Sequence, residues 1–376
     1  MIQIFSNSLG EDEAKAVEKV FKSKWVGAAN ETLKFEKQFG ERLNSKYSLS
    51  FNCATAATYG AIKILDIKPG DDVLIPTVNF IGCVNAIIDA GANPIFCDID
   101  INTLNITPEE VKKKMTKNTK ALLLLHYGGN PVQFDEIKEV SGDIKIIEDS
   151  CNTLFSKYKD RYCGALGDIG FFSFDAMKIL VTGDGGMMTF QNDEYYEKAL
   201  QYRYLGLVSK IKSGVDSLKE DKKTWWEIEL GSTSGRFVSN DIVSAIGLEQ
   251  MKKVDNFISR RKHIWNTYKE ELQNLDWLIL PPEPEEDCTS SYFMFWMRVK
   301  NGWRDEFAKY MIDNGVYVTF RYYPLHKISR YKQTNLSLPV ADEISDTTIN
   351  IPIHQNLDDN DIDTIVDVIK NFRRNK

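Results

Sequence analysis

Positive charge is what this chain has too little of to suit a nucleic acid. Its 47 Lys and Arg residues stand against 54 Asp and Glu, giving a net charge of −7 and a pI near 5.4. Phosphate backbones are held by concentrated basic surface, so DNA or RNA is not expected as the main partner. A small phosphorylated ligand is compatible with this balance, because a few local donors hold it. Long hydrophobic runs are missing as well. The longest, such as ALLLL at 121–125, fall far short of the roughly 18 residues of a membrane span and suit buried strands. No membrane association is expected. The opening segment, MIQIFSNSLGEDEAKAVEKVF, lacks the basic-then-apolar pattern of a signal peptide, which points to the cytoplasm. The six cysteines (Cys53, Cys83, Cys97, Cys151, Cys163, Cys288) contain no CxxC and read as reduced, mostly buried residues. Four histidines (His126, His263, His326, His354) lie too far apart in sequence to suggest a cluster, so no metal is expected. GxGxxG is absent too, which removes the support for a dinucleotide-binding protein.

What is present is alternation. In the 376 residues, short apolar runs follow one another from about 48 to 190: VLIP (73–76), PIFCDID (94–100), ALLLL (121–125), IKIIED (144–149), FFSF (171–174) and MMTF (187–190). Helical stretches separate them. One covers 108–115, with Thr107 as cap, Pro108 in the first turn and Glu109 and Glu110 at the positive end of the dipole. Continuous apolar runs mean strands buried on both faces, and alternation with helices means a mostly parallel, helix-covered sheet. Amphipathic helices are expected over 10–22 and 31–44, the second with Leu33, Phe35, Phe39 and Leu43 on one side. Residues 207–230 break the pattern with a polar, lysine-rich stretch containing Trp225 and Trp226. A long helix is predicted over 241–272. Beyond it, the strands SYFMFWMRVK and VYVTF and the helices 303–314 and 358–373 suit a smaller α+β domain. The expected division is a large domain over 1–255, with an N-terminal helical segment, and a small C-terminal domain over 256–376.

Ligands of parallel sheets sit at the carboxyl ends of strands, so residues there are read first. Asp149 ends a strand and either faces a crevice or caps the next helix. Ser173 lies beside a strand. Lys178 follows, ahead of Ile-Leu-Val. An apolar setting there lowers a lysine pKa and favours the neutral nucleophile, while the plain alternative is a snorkelling lysine. Together the three have a joint meaning. Pyridoxal phosphate needs an amine for its aldehyde, a carboxylate for its pyridine nitrogen and donors for its phosphate.

Over roughly residues 8–370 the sequence resembles the DegT/DnrJ/EryC1/StrS sugar aminotransferases, a family of aspartate-aminotransferase fold type I. The resemblance rests on Trp25-Val26-Gly27, FEKQFGERL, FNCATAAT (51–58), GDDVLIPTVNFIGCVNAI (70–87), GANPIFCDID (91–100), HYGGNP (126–131) and the Asp149–Gly186 stretch. It continues through IGLEQMKKVDNFISRR (246–261), YYPLH (322–326), LPVADEIS (338–345) and INIPIHQNL (349–357). It implies an α/β fold with a mostly parallel sheet flanked by helices. Carried over by residue, it makes Lys178 the catalytic lysine holding pyridoxal 5'-phosphate and Asp149 the partner of the ring nitrogen. Ala54 and Thr55 fall where the family has Gly-Thr against the phosphate, at a helix start. Ser173 matches a further phosphate ligand. Phe80 matches the aromatic residue stacked on the ring, or is a core phenylalanine. Asn152 stands near the ring hydroxyl. Arg236 stands where the family places a residue of the partner subunit, or is a surface arginine.

Arg321 and His326, in FRYYPLH, are expected to bind substrate or to be hydrogen-bonded structural groups in equal measure. His126 belongs to the strand-end turn or is a satisfied core histidine. Arg203, Lys210, Lys212, Lys222, Lys223 and Arg321 are candidates to meet a diphosphate. The implied reaction moves an amino group from an amino acid, L-glutamate by resemblance, to a nucleotide-linked keto-deoxyhexose, in a homodimer with shared active sites. The alternatives are a smaller phosphorylated ketone, a same-fold sugar dehydratase and a non-catalytic regulator. Dehydratases of this resemblance carry histidine in place of the lysine, so Lys178 favours amino transfer.

Overall fold

A computed structural model describes residues 1–208, 228–333 and 336–372. The six apolar runs become strands of one seven-stranded sheet. These are β2 (Asp72–Pro76), β3 (Asn93–Cys97), β4 (Thr119–Leu125), β5 (Lys145–Asp149), β8 (Ile169–Ser173) and β9 (Gly186–Phe190). The seventh, β1 (Tyr47–Phe51), was not expected as a strand; its outer half is only partly covered, which leaves YSLSF without a continuous apolar run. The sheet order is β1-β9-β8-β5-β4-β2-β3, and β9 alone runs against its neighbours, while the short strands β6 (Lys157–Tyr158), β7 (Arg161–Tyr162) and β11 (Cys288–Thr289) form a small sheet of their own. Consecutive side chains point to opposite faces. Leu74, Leu122, Leu124 and Ile146 fill one core, while Val73, Ile75, Leu123, Leu125 and Ile147 fill the other. Each run therefore had to be apolar throughout.

Helices α1 (Glu11–Lys22), α2 (Asn30–Leu43), α3 (Ala54–Ile64), α4 (Ile81–Asp89), α5 (Pro108–Lys114), α6 (Phe134–Ser141) and α7 (Asp193–Arg203) accompany the sheet. Thr107 caps α5 through a bond from Glu110 N at 3.3 Å. In α2, Phe35, Phe39 and Leu43 are buried, but Leu33 is 63% exposed and does not join that face. The long helix Asp241–Leu272 starts at Asn240, whose side chain accepts from Ile242 and Val243 amides.

A second core lies beyond. Ile264, Trp265, Tyr268 and Leu272 of the long helix pack there with Phe295, Phe307, Ile349 and Ile365, around the antiparallel strands β10 (Leu278–Ile279), β12 (Phe295–Val299) and β13 (Thr348–Ile351). The same helix gives Leu248, Met251, Val254 and Phe257 to the sheet's core. A cut at 255/256 falls inside this one continuous helix. VYVTF forms only isolated bridges, Ile2 with Val316 and Thr319 with Asn350, rather than a strand. The chain's first residues thus attach to its C-terminal part.

Candidate active site

The carboxyl ends of β1, β2, β4, β5 and β8 open on one edge of the sheet. Asp149 ends β5 there, 2% exposed. Its Oδ1 accepts from Cys151 N at 3.0 Å and its Oδ2 from Cys83 Sγ at 3.4 Å. Burial, and then the Asp149 charge, push both thiols up, so they stay protonated.

Lys178 follows β8 and is half-buried. Its Nζ lies 4.8 Å from the centre of the Phe293 ring. Burial alone pushes the amine down. The negative charges that Tyr322, Cys151 and Asp149 carry when ionised outweigh it and hold the amine above the ordinary lysine value, against the opposing charge of Arg321. The apolar Ile-Leu-Val that follows does not set this environment: Ile179, Leu180 and Val181 are buried in their own right, and polar groups face the amine. The expected lowering by an apolar setting is therefore corrected.

Next to these residues α3 begins. Cys53 Sγ accepts from Ala56 N at 3.4 Å. The amides of Ala54 and Thr55, in the first turn, have no acceptor within the helix. Gly186 of β9 backs onto this point so closely that a Cβ there would come within 2.6 Å of Ala54 N. Gly186 pairs with Ser173, so the serine stands beside the helix start. Phe80 is 47% exposed rather than a core residue. Its ring and Thr55 Oγ1 both border Gly82.

Tyr322 closes the cleft from the C-terminal side. Asn152 Nδ2 donates to its hydroxyl at 3.4 Å, and its ring meets Phe80 at 6.3 Å between centres. A carboxylate, an amine, free helix amides and an exposed ring thus share one cleft.

The profile of the DegT/DnrJ/EryC1/StrS aminotransferase family matches residues 7–370. The chain belongs to that family. It is 37% identical to a dTDP-4-dehydro-2,3,6-trideoxy-D-glucose 4-aminotransferase of Saccharopolyspora spinosa, over 98% of this chain and 95% of that one. It is 29% identical to a GDP-perosamine synthase of Escherichia coli O157:H7, over 100% and 99% of the two chains. Its structure superposes on the aminotransferase TlmJ from Streptoalloteichus hindustanus with a TM-score of 0.92 at 39% identity, covering 98% of each chain. The α/β fold, the aminotransferase class and dependence on pyridoxal phosphate follow from family membership.

The residues present fit that cofactor. Among the described residues, Asn152 Oδ1 and Asn79 Nδ2 are buried in the cleft region without a hydrogen-bond partner, near a carboxylate and an amine whose charges act on each other. The cleft is thus polar on its inside in a way that packing alone does not use.

Other predicted residues of this family member stand elsewhere or are engaged. Thr77 Oγ1 accepts from His326 N at 3.2 Å and lies 2.7 Å from His326 Nδ1; Nε2 is 3.2 Å from Asp342 Oδ1. Both ring nitrogens of His326 are therefore in use, and the histidine pins the 322–326 segment to the loop after β2. His126 is a satisfied core histidine. Val132 N donates to its Nδ1 at 3.1 Å, so Nε2–H donates to Glu148 at 3.0 Å. Arg203 is buried in an ion pair with Glu36 and bonds the Ser50 carbonyl, so it is not free for a diphosphate. Arg236 is exposed, over the Tyr204 ring at 5.6 Å. Lys210, Lys212, Lys222, Lys223, Trp225 and Trp226 lie outside the described residues. Tyr322 was missed as a site residue, although YYPLH carried part of the resemblance; nothing in the pattern says which tyrosine turns inward.

Proposed function

We propose that this aminotransferase moves an amino group from L-glutamate to a keto-sugar, a nucleotide-linked keto-deoxyhexose, in the cytoplasm. The observation that carries the site assignment is the meeting of the Asp149 carboxylate, the Lys178 amine and the free amides of α3 at one sheet edge. The sugar class rests on the printed activities of relatives at 37% and 29% identity.

When bound, pyridoxal phosphate supplies an aldehyde for amines and a protonated ring that takes up an electron pair. Asp149 holds the ring nitrogen's proton. The amides of Ala54 and Thr55, the Thr55 hydroxyl and Ser173 bind the phosphate, where a helix N-terminus favours negative charge. Phe80 would lie against the ring, and Asn152 would donate to the ring hydroxyl. Lys178 anchors the cofactor through Nζ. Freed of the cofactor, the same amine would be the base that takes the proton from the donor's α-carbon and the acid that then delivers that proton to the carbon left bearing the transferred nitrogen. Arg321 meets a carboxylate of the donor. Arg236 serves the phosphate of the partner subunit's site in a homodimer. Residues 1–255 form the cofactor-binding domain and 256–376 the smaller one, which brings Arg321 and Tyr322 to the cleft.

The half-reaction tests this. Protein loaded with pyridoxal phosphate and mixed with L-glutamate is expected to lose the absorbance of its lysine-bound cofactor and release one keto acid per site. Lys178→Ala is expected to abolish it. If no amino acid produces the change, the chain is not an aminotransferase of this kind.

A further inference from the structure

The guanidinium of Arg321 is arranged in an unusual way for an arginine beside a cleft. Among the described residues no carboxylate lies within ion-pairing distance of it. Among those residues its charge is met by a sulfur, Met177 Sδ at 3.1 Å from Nη2, and by an aromatic face, the Phe5 ring at 4.6 Å. Both contacts orient a guanidinium without neutralising it. The backbone of Arg321 is fixed as well: its amide donates to Asn350 Oδ1 at 2.8 Å, and Tyr127 donates to its carbonyl.

Phe5 itself is held by an unexpected part of the chain. Ile2 N donates to the Gly315 carbonyl at 2.7 Å and Tyr317 N to the Ile2 carbonyl at 2.9 Å. His354 Nε2 lies 3.1 Å from the Gln3 carbonyl, and Asn356 Nδ2 donates to Ser6 Oγ at 3.0 Å. Burial, and then Arg261, push the His354 pKa down to about 4, so the ring is neutral and its Nε2–H is the donor. Strapped in this way, the Phe5 ring stacks on Phe293 at 6.0 Å and 27°. The Lys178 amine lies over that same Phe293 ring. Arg321, Phe5, Phe293 and Lys178 thus form one connected series from the N-terminal segment to the reacting amine.

We propose that Phe5 and Met177 are positioning residues for the amino donor: they hold the Arg321 guanidinium aimed so that it takes a carboxylate of the donor at a fixed reach from Lys178. The N-terminal segment is then a wall of the donor subsite. This rests on the reading of Arg321 as the donor's carboxylate ligand. An un-neutralised guanidinium suits a planar carboxylate, which it meets with two parallel bonds. The donor class that follows is an amino acid with a free carboxylate, and a neutral amine is a poor substitute.

Calorimetric titration of the pyridoxal-phosphate-loaded protein with glutarate, which has carboxylates and no amine, tests it, with neutral glutaramide as control. Phe5→Leu is expected to weaken glutarate about tenfold, within the range of a desolvated cation–aromatic contact. Phe5→Tyr restores it, and glutaramide is unaffected by either. Met177→Leu, at an exposed position, weakens glutarate a few-fold without disturbing the packed segment. In an Arg321→Met background, Phe5→Leu is expected to add nothing. Glutarate affinity unchanged in both Phe5→Leu and Met177→Leu, with Arg321→Met weakened, overturns the positioning role alone. Affinity unchanged in Arg321→Met overturns the donor reading of Arg321 itself.

Discussion

Lys178 sits among groups that pull its proton affinity in opposite directions, and the balance has a kinetic consequence. Only the neutral amine attacks an aldehyde. With its amine held above the ordinary lysine value, cofactor-free protein keeps Lys178 protonated at neutral pH. Uptake of pyridoxal phosphate should therefore quicken with rising pH and go on quickening past the ordinary lysine range. After burial, the largest influence is the Tyr322 phenol, which raises the value. Tyr322→Phe removes it, so the amine's value falls and the rise in rate moves to lower pH. Uptake by this variant is expected to be faster on the alkaline limb of the profile, where an ionised oxygen at position 322 no longer holds the ammonium. Stopped-flow absorbance across a pH series checks this; profiles that superimpose would mean that Tyr322 does not act on the amine. Asn152 belongs to the same question, because its Nδ2 donates to the Tyr322 hydroxyl while its Oδ1 has no partner.

In the proposed site the phosphate would meet the start of α3, and that helix start depends on a strand that packs against it. A methyl group on Gly186 would meet Ala54 N at 2.6 Å and the Cys53 carbonyl carbon at 2.7 Å, and both are backbone atoms that cannot swing aside. Gly186→Ala should push the helix start off its place. The expected loss is about 1–3 kcal/mol in stability by urea unfolding, as for other overpacked sites. Cofactor affinity measured by equilibrium dialysis should fall with it, and an unchanged affinity would separate this glycine from the phosphate site. Much at this level was legible in sequence. Strands such as ALLLL were plain because both faces of the sheet are covered and every residue had to be apolar. Asp149, Ser173 and Lys178 could be proposed together because one short stretch carries all three. Tyr322, Phe5 and Phe293 were not, since they reach the cleft from distant segments; Tyr322 and Asn152 are 170 positions apart. YSLSF and VYVTF were misjudged for a related reason. One is a partly covered strand, and the other makes single bridges to Ile2, near the opposite end of the chain, and to Asn350.

At the scale of the molecule, one helix joins two cores, and a buried arginine marks the junction. Arg261 lies between Phe257, which packs on the sheet, and Ile264, which packs in the second core. It donates to the carbonyls of Phe293 and Ile353 and to Gln355 Oε1, and Gln355 donates in turn to the Ile179 carbonyl, next to Lys178. Burial pushes its pKa down to about 9. The second core is thus tied to the lysine's own loop within one subunit. Arg236 presents the opposite case. It is exposed, and among the described residues its side chain meets an aromatic face, while Trp25, Val26, Ile228 and Leu230 lie open at 60%, 46%, 76% and 60%. Exposed apolar residues in such numbers suit a second copy of the chain. If Arg236 serves the partner subunit's site, subunits carrying Lys178→Ala and Arg236→Ala should complement. In a mixed dimer, the site that keeps Lys178 receives Arg236 from the other subunit and is whole. Random pairing of equal amounts then restores roughly a quarter of all sites in a two-fold dimer. If Arg236 acts within its own subunit, no mixed dimer holds a whole site, and activity stays at the level of the Arg236→Ala subunits alone. Refolding the two variants together and measuring the glutamate half-reaction distinguishes the two arrangements.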